Sequence, residues 1–323
     1  MNGDLTRRHG DTERGPVIAT SFPLPDEALG LLGEVGTVAG PHGWRDALGE
    51  AAALLCLLTD TVDAALLESA PRLRIVANAV VGFNHVDVAA CRARGIVVTN
   101  TPDVLTAATA ELAWALLLAA VRRLPQAERS LRAGEFHGWG FWDYLGDGLE
   151  GRTLGIYGMG RIGRAVARRA GGFGMRVIYH SRTPLPADEE RALDAERVSF
   201  GDLLARGDVI SLHAPLTPET RHAFGRDALA RMRPGSVLVN TARGPLVDEA
   251  ALADALRDGP LAAAGLDVYE HEPAVHPGLL ELPNVVLLPH IGSATRGTRT
   301  AMAMLAARNV HAVLSGHPPL TPI

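Results

Sequence analysis

The sequence predicts an α/β fold made of two doubly wound parallel sheets. Short apolar runs of strand length alternate with helical stretches, and that alternation occurs twice, before and after a long apolar helix. The second set opens on a strand, a glycine-rich turn and a helix: Gly158-Met159-Gly160-Arg161-Ile162-Gly163. A length of 323 residues suits two domains better than one.

In order, residues 16–21 read as a strand and 26–32 as a helix. Residues 51–58 are apolar and end at Thr59-Asp60, as a buried strand would. Residues 73–81 and 95–99 give two more strands, with a helix over 86–94 between them. Residues 107–124 form the long apolar helix. The arm after it, 125–149, gathers Phe136, Trp139, Phe141, Trp142 and Tyr144 in a chain with only 5% aromatics. Such a cluster suits local core or a subunit interface. The second set has strands at 153–157, 175–179, 209–212, 236–240, 263–267 and 284–288. Helices are expected at 161–170, where Ile162, Val166 and Ala170 keep helical spacing, and at 200–206, 249–258 and 296–316.

Composition narrows the function. With 47% hydrophobic and 21% charged residues, the chain is an ordinary globular protein. A net charge of -5 points to no nucleic-acid partner. Every basic side chain is Arg, since the sequence has no Lys. Cys56 and Cys91 are too few and too far apart for a disulfide framework or a metal site. Residues 1–15 are polar, unlike a signal peptide, and are expected to be a disordered leader. The longest apolar run, 112–121, is too short to span a bilayer, so no membrane role and a cytoplasmic location are expected.

The glycine turn sits where a dinucleotide pyrophosphate binds. Gly158 allows the tight turn, Gly160 lets the backbone approach the phosphates, and Gly163 lets the helix pack on the sheet. At the end of the next strand an NAD enzyme usually carries an acid for the ribose 2′-hydroxyl. Here Tyr179 is followed by His180-Ser181-Arg182-Thr183. Arg182 suits a 2′-phosphate, with Ser181 and Thr183 as donors, so NADP(H) is the expected preference and NAD(H) a possible alternative. Arg243, Glu272 and His290 follow later strands, at the edge where α/β sheets bind ligands. An Arg can hold a carboxylate through two parallel bonds, a His can move a proton near neutral pH, and a Glu beside it can orient it and keep it protonated. With a nicotinamide, these groups suffice to interconvert a 2-oxo acid and a 2-hydroxy acid.

The motifs Val80-Val-Gly-Phe-Asn-His-Val-Asp87, Thr101-Pro-Asp-Val-Leu-Thr106, the glycine turn, Asn240-Thr-Ala-Arg-Gly244, the segment 265–273 and Pro289-His-Ile-Gly-Ser293 occur in an order that resembles the D-isomer-specific 2-hydroxyacid dehydrogenases, and most closely their glyoxylate/hydroxypyruvate reductase branch. The resemblance implies a flavodoxin-like substrate domain over 16–103 plus 295–323, and an inserted Rossmann NAD(P)-binding domain over 104–294. It also implies a cleft whose closure excludes water, and a homodimer joined through the helix and arm 107–149. It implies that Arg243 binds the substrate carboxylate and polarises the carbonyl, that His290 is the acid/base and that Glu272 is its partner. Val81 and Gly82 would cradle the carboxylate, with Ser293 nearby and Trp139 reaching a neighbouring subunit's site. Gly160, Arg161 and Ile162 would meet the pyrophosphate. Pro215, Thr241 and Gly292 would line the cofactor, and Asp267 would hold the nicotinamide carboxamide. The substrate implied is a small 2-oxo or 2-hydroxy acid. Other D-2-hydroxyacid dehydrogenases, and corepressor-like relatives that sense nucleotides, are the rival readings.

Overall fold

The computed structural model describes residues 15–323, so the leader expected over 1–15 lies outside the described residues except for Gly15. The chain divides into two compact units. One runs to Val104 and takes in Arg296–Ile323; the other is Leu105–Thr295.

The first unit is a parallel sheet of five strands: β1 (Val17–Thr20), β2 (Thr37–Ala39), β3 (Ala51–Cys56), β4 (Ile75–Asn78) and β5 (Val97–Thr99). Their order is β2-β1-β3-β4-β5, the flavodoxin-like arrangement. All six residues of β3 are buried, because a central parallel strand is covered on both faces. Its alternate side chains feed two cores. Ala53 and Leu55 join Ile18, Ile75 and Ala307 of the helix Arg296–Leu314 on one face. Leu54 and Cys56 join Val76, Cys91 and Trp44 on the other. Both cysteines are buried thiols, and burial pushes that of Cys56 well above the usual thiol range. The helices Ala64–Ser69 and Val88–Ala93 start at Asp63 and Asp87, whose carboxylates accept from the N–H of Leu66 (2.9 Å) and Ala90 (2.8 Å). Strand β2 is absent from the sequence reading for a physical reason: it is a three-residue edge strand with no buried residue, and so leaves no apolar run.

The second unit is a parallel sheet of seven strands: β6 (Thr153–Tyr157), β7 (Arg176–His180), β8 (Ala195–Arg197), β9 (Val209–Leu212), β10 (Ser236–Asn240), β11 (Leu261–Leu266) and β12 (Val285–Leu287). Their order, β12-β11-β10-β9-β6-β7-β8, is the dinucleotide-binding arrangement with one strand added. The order reverses between β6 and β9, which places a crevice at the carboxyl ends of those two strands.

The long apolar helix differs from expectation. It spans Thr106–Val121 and does not reach residue 124. Pro125 cannot extend a helix, because it lacks an N–H and its ring would clash with the Val121 carbonyl. Arg123 turns into the left-handed region (φ 54°), and the Val121 carbonyl accepts from Asp147 N instead (3.0 Å). A second helix, Leu124–Arg132, begins with Pro125 in its first turn, so the arm is helical at its start. Among the described residues, no helix is long and apolar enough to cross a membrane.

Candidate active site

The glycine turn joins β6 to the helix Arg161–Ala170 at the sheet's crossover point. Gly158 has φ 99°, and a Cβ there would run into the backbone of His213 and Ala214 at the end of β9. Only glycine allows both. Gly160 has open space where its Cβ would be. The first turn of the following helix carries no acid and starts without a side-chain cap, which leaves its amide donors for a ligand. Beside the turn lies a cavity of about 310 Å³, lined by Gly158, Gly160, Arg164, Ser181, Arg182, Thr183, His213, Pro215, Thr217 and Thr220.

The loop after β7 is held from below. Ser181 Oγ donates to Thr183 O (2.6 Å), and Arg197 Nη2 donates to the carbonyls of Ser181 (3.2 Å) and Arg182 (3.3 Å). The Ser181 hydroxyl is thus committed to the turn, leaving the exposed Arg182 side chain as the loop's cation toward the cavity. Under the loop, the buried Tyr179 donates to Glu190 and accepts from Leu185 N. His213 Nε2 lies 2.8 Å from Ser211 Oγ, and burial lowers its pKa to about 3, so the ring is neutral.

Arg243, Glu272 and His290 converge on the loops beyond β10, β11 and β12. Asn240, the last residue of β10, folds the turn that presents Arg243: its Oδ1 accepts from Ala242 N (3.0 Å) and its Nδ2 donates to Arg243 O (2.9 Å). Gly244 follows at a point where a Cβ would overlap the backbone of Tyr269 and Glu270, so this turn can lie directly against the loop carrying Glu272. That loop is anchored by Glu249, a buried carboxylate accepting from Glu270 N (2.6 Å) and His276 N (3.0 Å).

Glu272 receives two bonds. Oε1 accepts from Tyr269 N (3.0 Å), and Oε2 lies 2.8 Å from His290 Nδ1. Burial acts to raise the Glu272 pKa. The bonds from His290 and Tyr269, with the charges of His290 and Arg243, outweigh it and hold the carboxyl below its ordinary range. Arg243 shows the reverse balance: burial lowers its pKa while Glu272 raises it, and a guanidinium stays charged in either case. With Nδ1 engaged by Glu272, Nε2 is the ring nitrogen that remains for another partner. His290 itself sits at φ 54°, a conformation that costs a non-glycine residue free energy and gathers at functional sites. Asp267 fixes the turn beyond it, its two oxygens each accepting at 2.7 Å, from Ile291 N and Gly292 N.

The chain residues 114–292 match the family model described as "D-isomer specific 2-hydroxyacid dehydrogenase, NAD binding domain". A glyoxylate reductase of Thermococcus litoralis is 52% identical over 274 residues, which cover 84% of this chain and 82% of that protein. The chain belongs to the D-isomer-specific 2-hydroxyacid dehydrogenase family. It is an NAD(P)-dependent oxidoreductase. Two solved relatives have the same fold. A glyoxylate reductase from Paecilomyes thermophila superposes with a TM-score of 0.87 at 36% identity, covering 96% of this chain and 98% of that one. An NADPH-dependent glyoxylate/hydroxypyruvate reductase from Sinorhizobium meliloti, solved with NADP and malonate, gives a TM-score of 0.85 at 39% identity, covering 95% of this chain and 96% of that one.

The dehydrogenase's dinucleotide fits the crevice at the crossover point. Besides the glycine turn, Thr241 is buried just beyond β10 with a hydroxyl that has no partner among the described residues, an atom that a ligand can satisfy. Pro215 lines the cavity, and Gly292 lies against Asp267. Val81 and Gly82 belong to the other unit, in the loop after β4. Trp139 is 81% exposed on the arm and edge-on to Phe141. Ser293 follows Gly292 in the His290 loop. Asn240, Glu249 and Arg197 escape the sequence reading. The first lies inside a motif without looking chemical, the second resembles an ordinary acid in a helix's first turn, and the third an ordinary surface Arg; only folding across distant elements reveals what each holds. Among the described residues, no group of three or more His, Cys, Asp or Glu is arranged to hold a metal ion.

Proposed function

We propose that this dehydrogenase reduces glyoxylate, and with it hydroxypyruvate, using NADPH in preference to NADH. The observation that carries the reading is the convergence of Arg243 with the hydrogen-bonded pair Glu272–His290 on one edge of the dinucleotide-binding sheet. The bound nicotinamide supplies the hydride. Gly158, Gly160, Arg161, Ile162 and Gly163 hold its pyrophosphate, and Thr241, Pro215, Asp267 and Gly292 line the rest. Val81 and Gly82 offer backbone N–H groups to the substrate carboxylate. Arg243 binds that carboxylate and stabilises the charge that grows on the carbonyl oxygen. His290 Nε2 delivers the proton, while Glu272 on Nδ1 fixes the orientation of the ring.

Cofactor preference rests on the residues after β7, where Ser181-Arg182-Thr183 stands in place of an acid. Substrate size rests on likeness to glyoxylate reductases at about half identity. The aromatic arm is the contact of a homodimer, with Trp139 directed to the partner. Initial rates of NADPH and NADH oxidation with glyoxylate, hydroxypyruvate, pyruvate and phenylpyruvate test the reading. Fast turnover of the first two with NADPH is the expected result. Preference for phenylpyruvate or for NADH overturns the substrate or the cofactor assignment, respectively.

A further inference from the structure

The loop after β4 carries an unusual set of side-chain braces. The Asn78 amide nitrogen donates to the carbonyls of Val80 (3.2 Å) and Gly82 (3.0 Å), and its oxygen lies 3.2 Å from His85 Nε2. The Asn100 amide nitrogen donates to the carbonyl of Val81 (2.8 Å). Three consecutive carbonyls are thus held by two asparagine side chains, and Thr101 N adds a second bond to Val80 O (3.2 Å). The N–H groups of Val81 and Gly82 donate to no described residue. In a trans peptide the C=O and the next N–H point in opposite directions. Tying Val80 C=O inward therefore turns Val81 N–H outward, and tying Val81 C=O inward turns Gly82 N–H outward.

Asn100 is itself fixed. Its N–H donates to Thr321 O (3.2 Å), and its carbonyl accepts from Thr321 Oγ1 (2.6 Å). Asn309, fully buried, donates to Thr321 Oγ1 (2.9 Å) and accepts from the N–H groups of Leu320 (2.9 Å) and Thr321 (3.0 Å).

We propose that Asn78 and Asn100 are positioning residues that preset the Val81 and Gly82 amides as a carboxylate cradle, with Asn309 and Thr321 anchoring Asn100. The inference rests on the reading that those two amides take the substrate carboxylate. Asn78 donates to the peptide unit that contains Val81 N–H, and Asn100 to the unit that contains Gly82 N–H, so each amide of the cradle has its own brace. Without a brace, a peptide unit can rotate, and the carboxylate must then bind an unordered donor.

The test is a titration of ¹⁵N-labelled enzyme, saturated with NADPH, with oxamate, a carboxylate of glyoxylate's shape that is not reduced. In the wild type, the Val81 and Gly82 amide resonances move as oxamate binds. In Asn100→Ala, they move only at about five- to tenfold higher oxamate, the loss of roughly one net hydrogen bond, and the KM for glyoxylate rises by a like factor while NADPH affinity is unchanged. Thr321→Val gives a smaller change in the same direction. Wild-type behaviour of Asn100→Ala overturns the inference and leaves the cradle reading intact. A parallel loss of NADPH affinity also overturns it, because the effect is then merely structural. Wild-type amides that do not move remove the cradle reading, and the inference with it.

Discussion

Glu272 shows how one side chain can serve both a pH profile and a fold. Its carboxyl sits in a half-buried loop that should raise its pKa, yet it is held low by His290, by Tyr269 N–H and by Arg243. Glu272→Gln keeps the shape and removes the charge. On the proposed role it should lower kcat/KM for glyoxylate reduction without abolishing it, and an unchanged kcat/KM counts against that role. The sign for stability follows from the lowered pKa. A carboxylate with a depressed folded pKa contributes stability above its unfolded value, about 4.3, and loses that contribution as pH falls through the folded value. Melting temperatures between pH 6 and 3 should therefore fall less steeply in Glu272→Gln than in the wild type. At this scale the three residues that the structure brings together, Arg243, Glu272 and His290, were legible in the sequence because they sit in recognisable motifs. Glu249 and Asn240 were not, because a residue that positions another looks ordinary until distant segments meet.

Single elements were legible in proportion to their burial. Strands β6, β9 and β10, central and covered on both faces, have the same bounds in the sequence reading and in the structure. The helix Ala187–Leu193 and β8, at the sheet's edge, left no signal: the helix has no buried residue and β8 pairs on one side only. Yet β8 supplies Arg197, which ties the carbonyls of Ser181 and Arg182 in the loop after β7. The loop should therefore behave as a unit. Arg182→Ala should raise the KM for NADPH by about one to two decades, the worth of a charge-assisted bond of roughly 1.5–3 kcal/mol, and leave that for NADH nearly unchanged. Arg197→Ala should act in the same direction and more weakly, since it loosens the loop without removing the cation that faces the cavity. Steady-state kinetics with both cofactors decide it, and equal losses with NADPH and NADH for Arg182→Ala would falsify the 2′-phosphate role.

At the scale of the whole molecule, the chain leaves its first unit after Val104, builds the dinucleotide-binding unit, and returns at Arg296 to complete the first. The fold class was legible because both sheets are parallel and each announces its buried strands; the hydrophobic pattern is silent about the arm, which has neither a helical nor a strand period after Arg132. Its large apolar side chains lie in water: Trp139 is 81%, Trp142 76% and Phe141 66% exposed. Three aromatic rings packed edge-on to one another and left in solvent form the kind of contiguous apolar surface that marks an interface. A second copy of the chain is the proposed cover. Sedimentation at micromolar concentration should give a wild-type mass near twice the 34.1 kDa of one chain. Replacing Phe141 and Trp142 together by Ser should shift that mass toward a single chain without lowering the NADPH affinity of the dinucleotide-binding unit, because neither residue lines the cofactor cavity. A wild-type chain that sediments as a monomer would leave the arm to some other partner. A double variant that stays dimeric would move the interface elsewhere, most plainly to the exposed Leu124 and Leu131 of the preceding helix.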